Sequence, residues 1–232
     1  MTNVTRETWK KVMALSSGLN LTLGPNSTDR YLFDPKRFAF FLSRYKFAGK
    51  MLCRCRSIVD VGCGDGMGTL TYLSDTQAER VVGIDFDRAL IDHATTVLHA
   101  ALKQALPDRA ARISFECLDA LETPVPADKF EGMSSLDVIE HVEERLENEF
   151  ISRLAGRLVD RGVAVIGTPN ALTRQYASAH SEIGHINNYD PDRLRHSLER
   201  HFSRVFLFSM NDEMVHTGFD KLAHYLMALC VK

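Results

Sequence analysis

The spacing of apolar positions along this chain changes character near residue 56. Before it, Phe38, Phe41, Leu42 and Tyr45 fall at i, i+3, i+4 and i+7, which predicts a helix with one apolar stripe. Asp34-Pro35 supplies its start, proline being well tolerated at the first helical position. A shorter helix is expected over residues 5–15, carrying Trp9, Val12, Met13 and Leu15. A turn is expected over residues 20–27, centred on Gly24-Pro25-Asn26.

From Arg56 onward, short apolar runs alternate with helical stripes. Strands are predicted at residues 57–61, 81–84, 112–118, 132–135, 163–166, 205–208 and 223–231. Between them come a helix over 88–102 that Asp87 could cap, and a stripe through Leu146, Phe150, Ile151, Leu154 and Leu158 that stops at Arg161-Gly162. Another helix opens at Pro191 with Leu194, Leu198 and Phe202 on one face. Such alternation predicts an α/β chain with a parallel sheet covered on both sides. The expected organisation is a helical lid over residues 1–55 and one domain over 56–232. The stretch 171–190 has no clean period, and a loop that long inside a compact domain is usually functional.

Composition narrows the class. The 232 residues are 45% hydrophobic and 25% charged, ordinary for a globular protein that needs no staples for its core. A net charge of −2 provides no global basic field, so a nucleic-acid partner is not expected. The five cysteines are odd in number and Cys53-x-Cys55 has no second pair, which argues reduced thiols in a cytoplasmic protein rather than a zinc site. No run of about 18 apolar residues predicts a membrane span, and residues 1–11 have no secretory apolar core. No membrane partner is expected. Monomer and homodimer both stay open.

The richest chemistry lies at Ser57-Ile58-Val59-Asp60-Val61-Gly62-Cys63-Gly64-Asp65-Gly66-Met67-Gly68. An apolar strand turns through a glycine-rich loop toward a helix, the geometry that builds a nucleotide or cofactor site at the carboxyl end of a parallel strand. A dinucleotide fingerprint would need glycine at 67, where Met67 stands, which disfavours a dehydrogenase. Two further strands end on acids, at Asp85 and Asp119. A carboxylate at Asp85 can accept hydrogen bonds from both hydroxyls of a ribose.

Together with Leu136-Asp137-Val138-Ile139-Glu140-His141-Val142, these segments resemble the class I S-adenosylmethionine (SAM)-dependent methyltransferases, and within them the ubiquinone-pathway O-methyltransferases. The resemblance implies a Rossmann-like seven-stranded sheet of order 3-2-1-4-5-7-6 with the last strand antiparallel. It also implies SAM as cofactor, S-adenosylhomocysteine as product, and cofactor contacts from Asp60, Gly62, Cys63, Gly64, Gly66, Asp85, Phe86, Asp119, Ala120 and Leu136.

A hydroxyl acceptor would need a base, because it is a poor nucleophile while protonated. His185, in Gly184-His185-Ile186-Asn187, is the first candidate and His141 the second. In some relatives, carboxylates and histidines at these places hold a divalent metal. By that resemblance Asp137, Glu140 and His141, with His180 or His185, form an alternative metal set. The reading preferred on sequence has no metal. Lid residues Tyr31, Arg44 and Tyr45, with His216 from the polar connection at 210–219, are the expected acceptor contacts. The expected activity is O-methylation of a small polar metabolite such as a sugar, sugar nucleotide or phosphorylated precursor. Alternatives are a small-amine N-methyltransferase, a metal-assisted RNA 2′-O-methyltransferase and a non-catalytic SAM-binding partner protein.

Overall fold

The computed structural model describes residues 3–15, 18–176 and 183–232. Three helices open the chain: α1 (Asn3–Leu15), α2 (Pro25–Phe33) and α3 (Pro35–Met51). Eight strands follow, interleaved with helices: β1 (Ser57–Val61), β2 (Arg80–Asp85), β3 (Ile113–Cys117), β4 (Phe130–Leu136), β5 (Leu158–Pro169), β6 (Arg204–Asn211), β7 (Met214–His216) and β8 (Tyr225–Val231). They form one sheet of order β3-β2-β1-β4-β5-β8-β6-β7.

The first five strands are parallel, and β8 inserts antiparallel between β5 and β6. The arrangement matches the expected order except at one edge. There the connection 210–219 folds into a hairpin, and Met214–His216 adds an eighth strand against β6. The two carboxyl ends that matter, Val61 and Asp85, lie beside each other because β1 and β2 pair in parallel with Val61 opposite Ile84.

Buried side chains cover both faces. One cluster runs through Val59, Ile84, Met133, Ile151, Leu154 and Leu226. The other joins Ile58, Val81, Tyr72 and Met227 to Tyr45, Ala48 and Leu52 of the opening helices. Burying a residue such as Leu52 is worth about 1.5–3 kcal/mol. The second half of α3 thus packs against the sheet of the domain expected over 56–232.

Three other expectations are corrected. Gly24-Pro25-Asn26 does not centre a turn: Pro25 is the first residue of α2, with Gly24 as its N-cap. The helix expected over 88–102 is interrupted by a wider turn at Ala94–Leu98 before it resumes. Leu158 leaves the helical stripe, because that helix ends at Gly156 and Leu158 pairs with Phe130 as the start of β5. Arg161, in the left-handed region at φ 62°, bends that strand where a helix end was read. No helix among the described residues is long and apolar enough to cross a membrane.

Candidate active site

Two cavities open at the carboxyl ends of the parallel strands, one of about 570 Å³ and one of about 480 Å³. They share Arg30, Phe41, Asp137 and His141.

The glycine loop forms the floor of the first. Gly62 sits at φ 78°, and a Cβ there would lie 2.2 Å from Val138 Cγ2, so glycine is required on both conformational and steric grounds. Gly64 is different: a Cβ there would meet only Asn26 Nδ2, at 3.1 Å. Its backbone therefore admits a ligand closely. The amides of Gly62 and Cys63 both donate to the carbonyl of Ile84, which ties the loop to β2.

Of the expected cofactor contacts, Gly62, Cys63, Gly64, Asp85, Phe86, Asp119, Ala120 and Leu136 line this cavity. Asp85 receives the amides of Gly64 and Asp87, one on each carboxylate oxygen, at 2.8 and 2.9 Å. Each oxygen keeps a second lone pair for a ligand hydroxyl. Asp119 accepts the amides of Leu121 and Glu122 on Oδ1.

Asp60 and Gly66 lie behind the wall. Asp60 is fully buried and accepts hydroxyl hydrogens from Thr69 and Ser134 at 2.5 and 2.7 Å. Burial pushes its carboxyl up to about 6, against the pull of the Thr69, Ser134 and Tyr45 hydroxyls. Gly66 faces the Phe115 ring.

The opening helices close the other side. Asp65, nearly buried, accepts the amide and hydroxyl of Ser27 at 2.7 and 2.8 Å. It thereby caps α2 from outside the helix, where free amides and the helix dipole favour a carboxylate. Asn26, Ser27 and Arg30 of α2 line the cavity with Phe41 and Tyr45 of α3.

The second cavity carries a different chemistry. Arg30, Arg37, Arg44 and Arg174 line it with the histidines 141, 185 and 224, and with Asp34, Asp137 and Asp212. Arg44 is committed internally: Nη1 donates to both oxygens of Asp137, and its guanidinium stacks 3.7 Å above the Tyr225 ring centroid. Burial would raise the Asp137 carboxyl, but Arg44 and Arg30 outweigh it and hold that group below its ordinary value. Glu140 shows the reverse: burial and neighbouring Asp137 push it up to about 8.

Glu140, His141 and His185 each bring a potential ligand atom within 4.8 Å of the others. Glu140 Oε2 accepts the Thr168 hydroxyl, while buried Oε1 has no side-chain hydrogen-bond partner among the described residues. His141 Nδ1 meets the Gly184 carbonyl at 2.8 Å, which makes Nδ1 the donor and leaves Nε2 as the lone-pair nitrogen. The His185 ring centroid is 5.1 Å from that of His141. Burial and the facing His141 lower the His185 imidazole below its ordinary value. One carboxylate oxygen and two imidazoles suit a divalent ion. Asp137 does not join them, its oxygens being held by Arg44. His180 lies outside the described residues.

A buried network fixes the segment that carries His185. Glu147 accepts from Ser197 Oγ and Tyr189 OH at 2.6 Å each and from Arg193 Nη2 at 2.8 Å, with Asn187 Nδ2 at 3.3 Å. The Asn187 amide then donates to the Glu140 carbonyl at 3.0 Å.

Among the expected acceptor contacts, Tyr45 lines the first cavity and Arg44 the second. Tyr31 packs edge-on against Phe38, and His216 sits on edge strand β7 beside Asn211; neither lines either of these two cavities. Sequence reasoning missed His224, which lines the second cavity and whose buried Nε2 has no hydrogen-bond partner among the described residues. It also missed Asn26, Ser27 and Asp65.

Comparison with known proteins follows this geometry. Residues 29–223 match a family model described as a methyltransferase domain. A probable S-adenosylmethionine-dependent methyltransferase of Mycolicibacterium smegmatis is 28% identical over 121 residues, covering 52% of this chain and 41% of the relative. A probable chloroplastic tocopherol O-methyltransferase of Oryza sativa subsp. japonica is 32% identical over 111 residues, covering 48% of this chain and 28% of the relative. The match thus spans less than half the length of either relative. The N-methyltransferase NodS of Bradyrhizobium japonicum, solved with S-adenosylhomocysteine, superposes with a TM-score of 0.60 at 17% identity, covering 95% of this chain and 97% of NodS.

Proposed function

The chain belongs to the class I SAM-dependent methyltransferases, and from that premise we propose that it methylates a hydroxyl of a small anionic acceptor seated in the second cavity. The observation that carries this reading is the shared wall at Arg30, Phe41, Asp137 and His141. Two ligands, one in each cavity, would meet there, beside His185.

SAM, when bound, supplies a methyl group already activated on a sulfonium. The residues of this chain would do the rest. Gly64 lets backbone approach the cofactor, and Asp85 accepts the ribose hydroxyls with its two remaining lone pairs. Asp119 lies in the same wall for the adenine end. The opening helices cover the cavity and exclude water, which strengthens every charge interaction inside.

In the second cavity, Arg44 is spent on Asp137, so among the described residues Arg30, Arg37 and Arg174 are the cations left for a ligand. They outnumber Asp34 and Asp212 in that wall, which favours a phosphorylated sugar, sugar nucleotide or related precursor. His185, kept neutral by burial and by His141, would take the hydroxyl proton on a ring nitrogen as the oxygen attacks. The test is SAM consumption across phosphorylated and neutral hydroxyl compounds, amines and short RNAs. Turnover confined to amines would make this an N-methyltransferase and remove the base.

A second reading uses the same residues differently. Glu140, His141 and His185 would hold a divalent ion, which would lower the pKa of the acceptor hydroxyl. Glu140 Oε1, buried with no side-chain hydrogen-bond partner among the described residues, favours it. Activity after EDTA treatment and Mn²⁺ add-back separates the two: turnover that survives chelation belongs to the metal-free reading.

A further inference from the structure

Net charge conceals a division in this chain. Residues 1–55 hold ten lysines and arginines against three acids, leaving eighteen against twenty-seven in the remainder. A near-neutral protein thus has a cationic end and an anionic body, and such asymmetry points to a polyanionic surface as partner.

The cationic end also carries a helix none of whose residues is buried. On α1, Val4, Trp9, Val12, Met13 and Leu15 occupy one half of the circumference, and Arg6, Glu7, Lys10 and Lys11 the other. All thirteen residues are exposed, Val4 by 76%, Trp9 by 61% and Leu15 by 83%. Thirteen residues make a marginal helix in water, and amphipathic helices are held mainly by whatever covers the apolar face. Leu19, Leu21, Leu32 and Phe33 extend the exposed apolar surface along the same segment, Phe33 by 80%. Arg30, Lys36 and Arg37 flank its far end.

We propose that this segment docks the protein on an anionic lipid surface, with α1 lying in the headgroup plane. Aliphatic residues and a tryptophan opposite lysine and arginine are the composition that favours such placement, the apolar half entering the acyl boundary and the cations facing anionic headgroups. A symmetric dimer through this face would set two cationic surfaces against each other, which opposes association. RNA would satisfy the cations and leave the aliphatic half uncovered. Arg30 and Arg37 belong to the same segment and line the second cavity, so docking brings the acceptor entrance near the lipid. Lying on a bilayer makes no demand for a spanning run. The proposal is independent of the acceptor's identity.

Trp9 is the chain's single tryptophan, so its emission reports on α1 alone. The full chain is titrated with vesicles of phosphatidylcholine, with and without phosphatidylglycerol, and binding is checked by co-sedimentation. The expected result is a blue shift and co-sedimentation with anionic vesicles only. Affinity should fall by about tenfold or more between ~0.1 M and ~0.5 M salt, and by a similar factor in Lys10→Glu/Lys11→Glu. Val12→Ser/Met13→Ser should abolish the blue shift with no change in thermal midpoint, all four positions being exposed. The proposal is overturned by no shift, by equal binding to neutral vesicles, by a shift that follows protein concentration without vesicles, or by tighter binding to a short RNA than to anionic vesicles.

Discussion

Arg44 Nη1 sits 2.7 Å from Oδ1 and 2.6 Å from Oδ2 of Asp137, joining residues 93 positions apart. The pair clamps α3 to the turn after β4, at the wall where the two cavities meet. Asp137 holds a left-handed conformation, φ 58°, that a non-glycine residue rarely adopts. Both side chains are largely buried.

Removing one member leaves the other charge without its partner. Arg44→Ala is therefore expected to cost about 3 kcal/mol of stability. The double variant Arg44→Met/Asp137→Asn should cost less than the two single changes added together. Urea denaturation of the four proteins checks this, and strict additivity would contradict the coupling.

His185→Ala should lower kcat by about 10²- to 10⁴-fold, the range for loss of a general base, while SAM affinity stays near that of the unaltered chain. Because the imidazole lies below its ordinary value of 6.5, its basic form predominates at neutral pH. The rate should rise with pH through a midpoint below 6.5 and then level off. An unchanged rate in His185→Ala would remove the base assignment.

Asp60 links pH to stability. Its folded carboxyl lies at about 6, above its ordinary 3.8. The folded state therefore holds its proton more tightly than the unfolded chain does, and stability is lost as pH rises from about 4 to 6. The linkage amounts to roughly 2–3 kcal/mol. Asp60→Asn should flatten that part of the stability curve in urea titrations at pH 4, 5, 6 and 7. An unaltered slope would show that other groups set it.

Glu147 acts through position. It binds Ser197, Tyr189, Arg193 and Asn187; Tyr189 and Arg193 also bond Asn187, whose backbone amide holds the Glu140 turn. Glu147→Ala should lower the thermal midpoint and raise KM for the acceptor, with SAM affinity little changed. Glu147→Gln, which keeps most of the hydrogen bonds, should restore part of both.

What the residues disclosed in advance was local. The glycine spacing, Asp85 at the end of β2 and Pro35 opening α3 follow from conformational rules that operate within a few positions. Pro25 was misread because the group that caps α2, Asp65, lies 38 residues from Ser27. Leu158 fits a helical stripe and a strand equally well, and pairing with Phe130 decides between them. The ion pair of Arg44 with Asp137 was not legible in the sequence, because it forms only when α3 meets the sheet. His224 stood at the edge of an apolar run with no motif around it, and only the assembled fold brings it beside Phe40, Arg44 and Asp212 in the second cavity.

Isothermal titration of S-adenosylhomocysteine into the full chain and into Asp85→Ala bears most directly on the account. Binding at one site per chain is predicted, weakened by about tenfold or more in Asp85→Ala through loss of a charged hydrogen-bond acceptor. Absence of binding to the full chain, or unchanged affinity in Asp85→Ala, would contradict it.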